Sequence, residues 1–251
     1  MKTLSRIYNA LIFTFLYLPI AVLIVFSFND SKNRVKWHGF TLSWYEKLFR
    51  NEQILDALRV TLEIALLAAL IATVIGTMAA VGLYSMKGRP RRLLMVLNNI
   101  PMINPEIVTG ISMMLMFVAI YRVTGLLRPG FFTLLLAHVT FCIPYVVLQV
   151  LPKLRQMNRH MYEAALDLGC HPLSAFFKVV MPEIMPGVIT GALMAFTMSL
   201  DDFVISYFNS GSTAQTLSVT IYTMTKRPVT PETVRRKARM LPVRAAAPTA
   251  S

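Results

Sequence analysis

The run Ile7-Tyr-Asn-Ala-Leu-Ile-Phe-Thr-Phe-Leu-Tyr-Leu-Pro-Ile-Ala-Val-Leu-Ile-Val-Phe-Ser-Phe28 carries no charge and follows Lys2 and Arg6. A helix needs about 20 mainly apolar residues to cross a hydrocarbon core of about 30 Å, and this run supplies them. A basic start before apolar residues is also the pattern of a signal peptide. The run is too long for one and lacks a small-x-small cleavage site, so residues 1–28 read as an uncleaved anchor helix. Four more stretches meet the same test: Val60 to Met86, Leu93 to Ile120, Phe131 to Leu151 and Val179 to Phe208. Of 251 residues 55% are hydrophobic and only 15% charged, with mean hydropathy +0.57, whereas a soluble domain carries about 25% charged residues. The expected fold is all-α: a polytopic transmembrane helix bundle with five spanning helices visible.

The net charge of +13 does not point to nucleic acid, because the basic residues fall in short clusters between apolar runs instead of tiling one face. Such clusters set membrane orientation. Lys2 and Arg6 precede the first run, Lys87, Arg89, Arg91 and Arg92 follow the second, and Lys153, Arg155, Arg159 and Lys178 follow the fourth. These segments are expected on the cytoplasmic side, with the N-terminus inside. In the external loop, residues 29–59, the bases are nearly balanced by Asp30, Glu46, Glu52 and Asp56, and Trp37, Trp44 and Tyr45 suit a membrane–water interface. Residues 60–225 form the core, with a cytoplasmic loop at 152–178. The tail, 226–251, breaks the pattern. Five crossings leave it outside, yet Lys226, Arg227, Arg235, Arg236, Lys237, Arg239 and Arg244 make it strongly basic, and Ala245 to Ser251 is of low complexity. Either the tail is a tolerated exception or a sixth helix has been lost.

The cytoplasmic loop contains Glu163-Ala-Ala-Leu-Asp-Leu-Gly169, with Val179 ten residues and Pro182 thirteen residues after the glycine. Helix formers over Arg159 to Leu168, a glycine at the helix end and Pro172 in a second first turn predict helix, sharp turn, helix. Ala164 and Ala165 let a partner approach the backbone, and Glu163 and Asp167, one turn apart, offer two carboxylates on one side. An ordinary amphipathic surface helix also carries alanines and i,i+4 acids; the full spacing says more.

That spacing resembles the "EAA" loop of the membrane subunits of binding-protein-dependent ABC importers. Phe26-Ser-Phe-Asn29, Trp37-His-Gly-Phe-Thr-Leu-Ser-Trp-Tyr45, His138-Val-Thr-Phe-Cys-Ile-Pro-Tyr145 and Phe196-Thr-Met-Ser-Leu-Asp-Asp202 resemble the PotC-type permeases of the spermidine/putrescine importers, over roughly residues 1–232. The resemblance implies an inner-membrane permease of six spanning helices. Its partners would be a second permease subunit in a heterodimer, a cytoplasmic ATPase dimer docking on Glu163, Ala164, Ala165, Asp167 and Gly169, and an external polyamine-binding protein. ATP is then bound by the partner subunit, and this chain needs no cofactor. From Thr233 onward the sequence departs from the pattern of a sixth helix.

Intramembrane charge costs on the order of 2.5–3.5 kcal/mol per residue on insertion scales, so the adjacent Asp201 and Asp202 call for a reason. On a regular helix from Pro186, Asp201 lies about 22 Å along, in the outer membrane half, and the two side chains point about 100° apart. Carboxylates are natural contacts for a polyamine; shallow, hydrated acids or packing acids are the plainer reading. Glu106 follows Asn98, Asn99, Pro101, Asn104 and Pro105, which interrupt the third run, and lies about 20 Å from Leu93 along one helix. It is expected to line the path, or else to pair with a partner's cation or sit protonated. Glu63 is expected to snorkel to water.

His138 and Cys142, i,i+4, read as helix packing, since no third ligand stands nearby for a metal. Cys142 and Cys170 cannot form a disulfide framework. The methionines read as apolar filler. No Gly-Lys dipeptide occurs, so no phosphate-cradling loop is available and the chain is not expected to be an enzyme. The readings left open are a permease for another small cationic or organic solute, a non-functional truncated permease, and a membrane protein whose tail binds anionic lipid or nucleic acid.

Overall fold

A computed structural model describes residues 2–31, 36–211 and 214–226. They form eleven α-helices and one π-helical turn; among them the sole β feature is an isolated bridge between Asn29 and Phe40. The helices are α1 (Lys2–Ser27), α2 (Ser43–Phe49), α3 (Glu52–Ser85), α4 (Gly88–Ile103), α5 (Glu106–Thr124), α6 (Phe131–Gln156), α7 (Arg159–Asp167), α8 (Pro172–Ala175), the π turn Phe176–Val180, then α9 (Met181–Asp201), α10 (Val204–Asn209) and α11 (Leu217–Lys226). Among the described residues, five helical stretches are long and apolar enough to cross a membrane: Arg6–Ser27, Glu52–Ser85, Glu106–Thr124, Phe131–Gln156 and Pro172–Asp201.

The chain divides into two compact units, Met1–Asp56 and Ala57–Ser251. In the first, α1 buries none of its apolar window, as suits a helix solvated by lipid or by another chain. Its end is tied into a small hairpin. The buried Asn29 amide donates to the Lys36 carbonyl (2.7 Å) and accepts from the His38 N–H (2.8 Å), while Trp44 Nε1 donates to the Asn29 carbonyl (3.0 Å). Phe28 stacks on Phe40 and Tyr45.

In the second unit α6 is the central helix, with more than half of its apolar window buried. Its neighbours meet it through small residues. On α3 the buried positions Ala65, Ala68, Ala69, Ala72, Gly76 and Ala80 repeat at helical spacing, which lets helices approach closely where no hydrophobic driving force separates protein from lipid. A Cβ on Gly76 would stand 2.7 Å from Val146 Cβ, and one on Gly187 of α9 would stand 3.0 Å from the Gln149 carbonyl oxygen. Gly76→Ala is therefore expected to force α3 from α6 at a cost of about 1–3 kcal/mol, read as a lower thermal unfolding midpoint in detergent. Gly82→Ala, with nothing within 4 Å of the added carbon, is expected to leave the midpoint in place.

Three expectations need correction. The stretch Leu93 to Ile120 is two helices, not one interrupted span: α4 ends at Ile103 and α5 starts at Glu106, with Asn104 and Pro105 extended (ψ 143° and 133°). Proline disfavours helical backbone at the residue before it and brings no N–H, so the chain turns there. Glu106 consequently sits in the first turn of α5, not about 20 Å along a continuous helix. Likewise Val179 to Phe208 is not continuous: α9 ends at Asp201, Asp202 is extended (ψ 126°) and α10 begins at Val204. Finally α3 starts at Glu52, inside the stretch read as external loop. Glu63 accepts from Arg59 Nε at 2.8 Å in an exposed i,i+4 pair. The tail beyond Lys226, with its basic cluster and the question of a sixth helix, lies outside the described residues.

Candidate functional site

Two helix breaks, made by different means, build the site. At Asn104-Pro105 the cause is proline. At Asp202 no proline or glycine is near, and the side chain itself breaks the helix. Asp202 Oδ1 accepts the Ile205 N–H (3.2 Å) and Oδ2 accepts the Ser206 N–H (2.7 Å). Those two donors would otherwise bond the carbonyls of residues 201 and 202 in a continuous helix; a short acidic side chain competes for them and starts a new helix instead.

The breaks face one another across a cavity of about 520 Å³ lined by Glu106, Asp201, Asp202, Phe141, Phe203 and Leu200 among others. The three acids singled out by sequence thus share one cavity, although they come from the start of one helix and the end of another. Their exposures differ: Glu106 and Asp201 are exposed, whereas Asp202 is 8% exposed. The expectation that Asp201 and Asp202 diverge on one regular helix is replaced by a break between them.

Behind Asp202 lies a residue whose role sequence reasoning missed. His138, on α6 and 1% exposed, bonds the Ser199 hydroxyl through Nδ1 (2.7 Å) and the Ser206 hydroxyl through Nε2 (3.1 Å), with Asp202 Oδ2 3.6 Å from Nε2. A signal was available: Ser199, Asp202 and Ser206 fall at i, i+3 and i+7 in an apolar run, the spacing of one polar helix face. Cys142, one turn from His138, donates to the Ala195 carbonyl at 3.4 Å and packs against α9. Among the described residues no group of three or more His, Cys, Asp and Glu is placed to hold a metal. Further along, the Asn209 amide donates to the Gly110 carbonyl (3.2 Å), and the Thr133 hydroxyl to the Asn209 carbonyl (3.3 Å), fastening α10 to α5 and α6.

The loop between α6 and α9 forms the second part of the site. Asn158 caps α7 by accepting from the His160 N–H (3.1 Å). Gly169 closes it in the left-handed region, φ +81°, with its N–H on the Leu166 carbonyl (2.9 Å) and the Cys170 N–H on the Ala165 carbonyl (3.1 Å). This paired closure is the reason a glycine is needed there. His171 accepts from the Leu173 N–H and Pro172 opens α8, so the helix, turn and helix expected from sequence are present. Glu163, Ala164, Asp167 and Gly169 are exposed and Ala165 is half-buried; Glu163 meets His160 Nδ1 at 3.1 Å. Around them Met161, Leu173, Phe177 and above all Leu168, 86% exposed, present apolar side chains outward.

The chain is similar to known proteins in sequence and in fold. Residues 72–231 match the family model described as binding-protein-dependent transport system inner membrane component. The chain is 41% identical over 222 residues to the putrescine transport system permease protein PotI of Escherichia coli, covering 88% of this chain and 79% of that one. It is 37% identical over 229 residues to the spermidine/putrescine transport system permease protein PotC of Haemophilus influenzae, covering 91% and 87%, and 38% identical over 221 residues to the Escherichia coli PotC, covering 88% and 82%. In fold it is similar to a chain from the crystal structure of a bacterial ABC transporter involved in the import of the acidic polysaccharide alginate, with a TM-score of 0.71 at 14% identity over 95% of this chain and 85% of that one.

Proposed function

The chain belongs to the family of binding-protein-dependent transport system inner membrane components, the permease subunits of ABC importers, and we propose that its cargo is a polyamine, spermidine or putrescine. The observation that carries this reading is a cavity that presents the exposed carboxylates of Glu106 and Asp201 together with Phe141 and Phe203. A polyamine is a chain of ammonium groups joined by methylenes. Carboxylates give the ammonium groups charge-assisted hydrogen bonds, and aromatic rings accept both the methylenes and, through their faces, the cations. The names of the similar proteins support the same cargo.

The family implies a partner permease, an ATPase and a substrate-binding protein. In the proposed assembly the permease partner is a different chain that closes the cavity, and the binding protein delivers polyamine from outside. An ATPase dimer grips α7 and α8 at Glu163, Ala164, Ala165, Asp167 and Gly169, with the N-terminus on the same, cytoplasmic, side. ATP hydrolysis is the partner's task; this chain converts closure of the ATPase into alternating access. Uptake of labelled putrescine and spermidine into vesicles reconstituted with all subunits tests the cargo. Each polyamine is expected to compete with the other and a neutral sugar with neither; uptake of a non-cationic solute that polyamines fail to block would overturn the assignment.

A further inference from the structure

We propose that the adjacent aspartates divide the work: Asp201 faces the cargo, and Asp202 is a positioning residue that acts through a buried polar knot with His138, Ser199 and Ser206. The inference rests on the polyamine path proposed above and assigns a distinct requirement to each acid.

Both Asp202 oxygens are already engaged, one by the Ile205 N–H and the other by the Ser206 N–H, and the side chain is 3% exposed. A buried carboxylate with its acceptors filled by backbone donors has little left to offer a passing ammonium. The knot also has a particular connectivity. Ser199 belongs to the last turns of α9, Ser206 to α10, and the imidazole of His138 bonds both from α6. One ring therefore staples the chain on either side of the break, while Asp202 diverts the two amides that would close it into a continuous helix. Asp201, as the last residue of α9, is exposed in the cavity because the helix ends there. Were α9 to run on through residue 206, the direction of the Asp201 side chain would be set by helix phase alone. A half-satisfied knot would also leave a buried imidazole or hydroxyl without its partner, which costs more than the bond it made.

The two positions are expected to obey opposite substitution rules. At 202 two acceptor oxygens at the right distance are needed: asparagine keeps one and turns an NH2 toward the other backbone N–H, so Asp202→Asn is expected to lower the thermal unfolding midpoint, which Asp201→Asn leaves in place, and with it uptake. Asp202→Ala and the longer Asp202→Glu are each expected to lower uptake about tenfold or more, the value of a buried hydrogen bond to a charged group. At 201 charge is needed and length is not: Asp201→Glu is expected to retain uptake, Asp201→Asn to lose it. His138→Phe, which keeps a flat ring and removes both bonds, is expected to behave as Asp202→Ala does. Each variant is measured in the reconstituted complex, and co-purification of the ATPase subunit verifies that it assembles. An unfolding midpoint left in place by Asp202→Asn while uptake is lost would show that the Asp202 charge meets the cargo and overturn the proposal, as would full uptake by Asp202→Ala. Should Asp201→Asn transport normally while the pattern at 202 holds, the path through Asp201 is wrong and the knot stands.

Discussion

Vesicles carrying the double variant Asp201→Asn, Glu106→Gln, reconstituted with the partner subunits and saturated with loaded binding protein, are expected to take up labelled polyamine about a hundredfold more slowly than the unmodified complex. Each exposed carboxylate in the cavity offers an ammonium group a charge-assisted hydrogen bond, worth about 1.5–3 kcal/mol, or roughly tenfold or more in rate if it is made only while cargo passes. The two residues come from different helices, so their effects are expected to combine, with part of the sum lost if a single ammonium bridges both. The loss should appear in the maximal rate, because the binding protein sets the concentration dependence. Both side chains are exposed, so neither change opens a hole in the core, and the thermal unfolding midpoint should stay put. Undiminished uptake by the double variant would remove these acids from the path.

Charge reversal at Glu163 is expected to have the second large effect, at the other end of the same machine. Glu163→Lys should abolish co-purification of the ATPase and, with it, substrate-stimulated ATP hydrolysis. Glu163 is exposed on α7, where its carboxylate meets the exposed His160 ring at 3.1 Å. Such a surface pair is worth about 0–1 kcal/mol, so the fold loses little. A partner surface arranged for a carboxylate would instead meet an ammonium, and like-charge contact across an interface costs several kcal/mol. Stability retained with assembly lost is thus the expected signature. If ATPase association and uptake both survive the reversal, docking is not carried by this carboxylate.

The elbow between α6 and α9 could be read from local chemistry almost in full. Asn158, Gly169 and Pro172 act within a few residues of themselves, through capping, a left-handed closure and a fixed φ, and local rules are visible in a local string. The apolar runs were equally legible, since a lipid-crossing helix is defined by its own length and polarity. The breaks were less so. Pro101 and Pro105 stand before Glu106, but hydropathy averages over a turn that costs only two residues, so the run reads as one span. At Asp202 the break has no proline or glycine to announce it.

What this sequence determined by itself was the solvent in which the chain dissolves, the presence of its long apolar stretches and the shape of the loop between α6 and α9, each being the sum of nearest-neighbour preferences. Only the tertiary structure decided that Glu106 and Asp201 share a cavity and that His138 holds the two ends of a broken helix. The second rests on contacts between residues 61 and 68 positions apart, and the first joins the start of α5 to the end of α9. Their existence is fixed by how α6, α9 and α10 pack, and no periodicity along a single segment carries that information.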